Sequence, residues 1–151
     1  MKTDEKALRE QLVSFLAGAH AHATVLDSVK DFPISRINTL APNSTYTPWR
    51  LLEHIRITQW DVLNFIQNPK YEEIKWPDDY WPKSGIKATP AMWKKTIASF
   101  KKDLNAFVKV IQNPKIDLNA KIPHGDGQTI LREALVIIDH NSFHLGEFSI
   151  L

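Results

Sequence analysis

No cysteine occurs among the 151 residues of this chain, and that absence removes disulfides, thiolate metal ligands and a cysteine nucleophile together. Histidine and carboxylate remain as the side chains able to hold a transition metal, and the composition fits a reducing cytoplasm. Long apolar runs are missing too. Nothing approaches membrane-spanning length, and the opening MKTDEKALREQ is charged and helix-patterned where a signal peptide would be apolar. The expectation is a cytoplasmic protein with no membrane partner. A strong excess of one charge is also lacking: the formal net charge is +2, too slight to imply a nucleic-acid-binding face. The densest basic group, Lys94, Lys95, Lys101 and Lys102, lies opposite the apolar stripe of its own segment and reads as a solvated outer face.

What is present is an ordinary globular composition, 43% hydrophobic and 24% charged, with a length suited to one domain, 1–151, built round one core. Four segments carry helical periodicity. From Asp4 to Lys30, Leu8, Leu12, Phe15, Ala19, Leu26 and Val29 recur at steps of three and four or their sum, so a single long first helix is expected. Its series has one gap, filled by His22, which is therefore read as turned inward. His20, about 200° round the helix, is not. Thr47-Pro48 and Thr89-Pro90 supply an N-cap followed by a proline in the first turn, and Asn68-Pro69 and Asn113-Pro114 end the two segments they open. Thr129 caps the last segment. The expected helices span 4 to 30, 48 to 67, 90 to 112 and 129 to 150, and without a convincing strand they make an all-α, antiparallel four-helix bundle.

The chemistry is carried by histidines on those stripes. His140 and His144 stand four apart within the apolar face of the last helix, so both rings can reach one point, the usual start of a transition-metal site. His54, three residues after Leu51, borders the buried face of the second helix. Three imidazoles converging from two helices would hold a zinc-, nickel- or iron-type divalent ion and leave a coordination position for water or substrate. The competing reading is three core histidines, each with its own hydrogen-bond partners. Glu147, three after His144, is read as a fourth ligand, a general base or a surface carboxylate, and Asp61, seven after His54, as a group that orients a ligand ring. Asp139 is turned away. His22 stands as a core histidine or a residue beside the site. The connection KYEEIKWPDDYWPKSGIKA, residues 70–88, is dense in aromatics that must bury against something; it covers one end of the helices, and a wall over a ligand pocket is compatible with the same packing.

WRLLEHIRITQWD around His54, KWPDDYWP in the connection, and PHGDGQTILREALVIIDHNSFHLGEF around the histidine pair together resemble the DinB/YfiT-like superfamily over nearly the whole chain. The resemblance implies an up-down-down-up bundle, often dimeric, with a divalent metal held at the positions of His54, His140 and His144. It further implies either a hydrolase or a transferase or isomerase that uses a low-molecular-weight thiol, here necessarily a cosubstrate, acting on a small molecule. A non-catalytic metal- or ligand-binding bundle is the alternative. Two features depart from the family pattern: Glu147 replaces a glutamine, and the chain stops at Leu151 without a helix-ending signal, as if a partner or further chain completed the helix.

Overall fold

The computed structural model describes residues 3–18 and 20–151. Four main helices pack against one another: α1 (Thr3–Ala17), α3 (Pro48–Gln67), α4 (Pro90–Gln112) and α5 (Ile130–Phe148), with a short α2 (Val25–Lys30) between the first two. Among the described residues there is no strand, only an isolated bridge between Lys121 and Thr129. The expected starts hold because the cap chemistry is made: the hydroxyls of Thr47, Thr89 and Thr129 accept from the amides of Arg50, Met92 and Arg132, each satisfying a first-turn N–H left without an intrahelical acceptor.

The expected helix from 4 to 30 is instead two. α1 ends at Ala17, and the stretch to Ala23 is exposed wherever it is described, while Ala19 of the expected stripe lies outside the described residues. Gly18 and the alanines beside it offer little apolar surface to hold a helix on the core. A new helix is started by a reciprocal cap, in which the Thr24 hydroxyl accepts from the Asp27 amide and the Asp27 carboxylate accepts from the Thr24 amide. The last helix also stops earlier than expected, at Phe148.

Pairing across the core gives the directions of the helices. The Trp49 indole donates to the Thr96 hydroxyl and the Gln59 amide to the Phe100 carbonyl, so α3 and α4 run parallel. Arg9, midway along α1, reaches the carbonyl of Ile111 at the end of α4, while Phe15 and Leu16 at the end of α1 share a cleft with Phe100 and Leu104 further back, which makes those two antiparallel. On α5, His144 meets His54 early on α3, whereas Glu133 shares a cleft with Asp61 further along α3, so this pair is antiparallel as well. The order is up-down-down-up. Two buried clusters fill the interior, one around Leu51, Leu52, Ile55, Trp93 and Phe100, the other around Leu12, Phe107, Ile111, Ala134 and Ile137. Lys94, Lys95, Lys101 and Lys102 are exposed, as their pattern required.

Candidate metal centre

α3 and α5 face each other with opposite directions, so one inward residue of α3 can meet two successive inward turns of α5. His54 is that residue. Its Nε2 stands 3.1 Å from Nε2 of His140 and 3.1 Å from Nε2 of His144, and the three rings offer ligand atoms all within 4.8 Å of one another. The grouping is buried, with His54 at 2% exposure and His144 at 9%. His140 keeps part of its surface open.

The hydrogen bonds behind the rings settle which nitrogen bears the proton. His54 Nδ1–H donates to the Tyr80 carbonyl at 2.9 Å, and His144 Nδ1–H donates to the Glu147 carboxylate at 2.6 Å. His140 is set by a relay. Gln59 must present its amide nitrogen to the Phe100 carbonyl (2.9 Å), so its oxygen accepts from Asn141 Nδ2 (3.3 Å). Asn141 then turns its own oxygen toward His140 Nδ1, at 3.4 Å. In each ring Nδ1 is the donor, so in its neutral form each imidazole turns the lone pair of Nε2 toward the other two. Three lone pairs pointing at one another in a buried space repel unless a cation lies among them. Nitrogen donors on one open side of an ion are the donor set of zinc-, nickel- or iron-type sites, so the residues present fit a divalent metal.

Electrostatics favour the neutral form of two of these rings. Desolvation, with the neighbouring histidine His144 adding to it, pushes His54 down to about 4; the Tyr80 hydrogen bond opposes the shift. Desolvation and the charges that His144 and His54 would carry do the same to His140, also to about 4. Both rings are therefore neutral near pH 7, the state in which imidazole binds a metal.

Tyr80 and Trp81 close the site from the 70–88 connection. The Trp81 ring lies flat on His54, with centroids 3.8 Å apart and planes within 5°. Tyr46 stacks on the same indole at 5.2 Å, and the Arg50 guanidinium sits 5.9 Å from its centroid. The aromatic connection is thus a wall of the site. Burial, then the adjacent Glu147 carboxylate, raise the Tyr46 phenol above the ordinary tyrosine range.

For three residues the structure narrows or changes the expectation. Asp61 does not orient a ligand ring, because the Tyr80 carbonyl already takes that N–H; Asp61 accepts instead from the phenols of Tyr71 and Tyr80. Burial raises its carboxyl from the ordinary value. His22 is exposed, not inward, because the helix on which that orientation depended breaks before it; its ring contacts the Ala23 carbonyl. Glu147 holds His144 by the far nitrogen and is not one of the clustered ligand groups. His20 and His124 lie apart, with Ser14 and the Phe65 carbonyl as partners. Residue patterns missed Tyr80, Asn141 and Gln59. Only Gln59 carried a signal, as a polar residue one turn after Ile55 on an apolar stripe.

Set against protein-family models, curated proteins and solved structures, the chain finds no match in any of the three.

Proposed function

We propose that the protein is a divalent-metal enzyme of the DinB/YfiT-like kind, acting on a small molecule through His54, His140 and His144. The observation that carries this reading is the convergence of three Nε2 atoms whose opposite nitrogens are all committed as donors. A bound zinc, nickel or iron ion supplies Lewis acidity to a water or a small thiol. The chain's residues then have separable tasks. Tyr80, Glu147 and the Gln59–Asn141 pair fix ring orientation and tautomer; Trp81 keeps water from the His54 face; the partly exposed side of His140 leaves an approach for substrate. Glu147, tied to His144 and beside Tyr46, would keep that ring's proton on Nδ1 and raise the basicity of its Nε2 toward an ion. Because the chain contains no cysteine, any thiol nucleophile must enter as a cosubstrate. We also propose that the chain pairs with a second copy, in keeping with the resemblance; light scattering decides this by showing twice the chain mass or only the single value.

The test is metal content and spectroscopy before activity. Purified protein, stripped with chelator and titrated with Co(II), should take one equivalent and give the visible spectrum of a nitrogen-ligated ion. His54→Ala, His140→Ala and His144→Ala should each abolish it, while His20→Ala and His124→Ala keep it. Unchanged metal uptake in the three triad variants would sink the reading. Loaded protein is then assayed for ester and amide hydrolysis and for thiol transfer to electrophiles; turnover that follows metal content identifies the branch.

A further inference from the structure

A second cleft lies along the same two helices, past the triad toward the end of α3 and the start of α5. It encloses about 530 Å³, within the range of small-molecule pockets. We propose that it is a binding site for a small organic ammonium, an alkyl or arylalkyl amine in its protonated form.

Charge is the first argument. In a chain of net charge +2, this cleft is lined by Asp61, Glu73, Asp126 and Glu133 against the single cation Arg132. Donor and acceptor accounting is the second. The phenols, the guanidinium and the imidazole in the wall are engaged: Tyr71 and Tyr80 with Asp61, Arg132 with Glu133, and the His124 ring with the Phe65 carbonyl. Two oxygens are not. Thr58, itself 9% exposed, and Gln128 lie in the wall with a buried hydroxyl and a buried amide oxygen that have no partner among the described residues. Buried oxygens without partners are uncommon in folded proteins. A ligand bringing N–H donors and positive charge complements these oxygens and the excess of carboxylates. Tyr71, Trp76, Tyr80 and Phe65 supply the aromatic wall that favours a cation over a neutral molecule of the same shape. The site stands apart from the metal reading, since none of its groups is a triad nitrogen; Tyr80 joins the two, by its carbonyl to His54 and its phenol to Asp61.

The experiment uses three probes of one shape: 2-phenylethylammonium, 2-phenylethanol and 3-phenylpropanoate, titrated calorimetrically and by NMR into metal-stripped and metal-loaded protein. The ammonium should bind both forms, with shifts at the Trp76 indole N–H and the amides of Glu73 and Gln128, and the alcohol and carboxylate should bind at least tenfold more weakly. Replacing two exposed carboxylates, Glu73→Gln with Asp126→Asn, should weaken the ammonium roughly fivefold without touching Co(II) uptake. Asp61→Asn should weaken it further. Equal binding of alcohol and ammonium, shifts mapping elsewhere, no effect of the double substitution, or binding confined to the metal-loaded form would each overturn the proposal. A Co(II)-negative protein that still takes the ammonium would separate failure of the metal reading from failure of this one.

Discussion

The three histidines were legible residue by residue because each occupies a place in a 3.6-residue pattern that otherwise holds apolar side chains, and a ring in such a place must find partners. Who those partners are was not legible. The His54 partner is a loop carbonyl 26 residues away, and His140 depends on an amide pair joined across 82 residues; no spacing within one helix encodes either. The relay makes a testable claim. Asn141→Ala removes the acceptor at His140 Nδ1 and frees the ring to put its proton on Nε2, so metal affinity should fall about 10- to 100-fold with the fold intact, as read by competition with a chelating dye. Gln59→Leu should do likewise, through Asn141. Retained affinity in both would show that the relay does not set the tautomer.

At the scale of elements, α3 and α4 were read with the bounds they have, because Thr-Pro opens and Asn-Pro closes each. Thr89→Ala should cost about 1 kcal/mol of stability in urea denaturation. The first helix was misread because leucine spacing continues in register past Gly18, while Gly18 and residues 20–23 are exposed. A further element-level device left no pattern at all: Arg9, 4% exposed, sends its guanidinium to the carbonyls of Ile111 and Asn113 at the end of α4, where cations complement the helix dipole and the last carbonyls lack partners, and to that of Ile116 in the connection beyond. In sequence it is one more charged residue in a charged segment. Arg9→Met, which keeps the stem and removes the donors, should destabilise by about 2–4 kcal/mol; a loss within error of zero would assign those carbonyls to water.

For the molecule as a whole, the low pKa values of His54 and His140 make the metal-free protein acid-sensitive. Both rings titrate near 4 when folded, against 6.5 ordinarily, so between those values the unfolded chain binds protons that the folded one does not. Stability is therefore full above about pH 6.5 and falls as pH drops toward 4. Urea midpoints measured at neutral pH and at about pH 5 should show the decline, and His54→Phe, which packs without titrating, should flatten it. Bound metal should shift the decline to lower pH, since an ion that binds only the folded state competes with the protons.

The flat stack of Trp81 on His54 gives the protein an optical reporter of its own. An indole in van der Waals contact with an imidazole loses emission when that ring gains a proton or an ion draws charge from it, because electron transfer out of the excited indole becomes easier. Of the five tryptophans, Trp81 is the one stacked on a member of the triad. Its fluorescence should dim with added metal in step with occupancy and with acid near pH 4, and Trp81→Phe should leave the remaining emission blind to both.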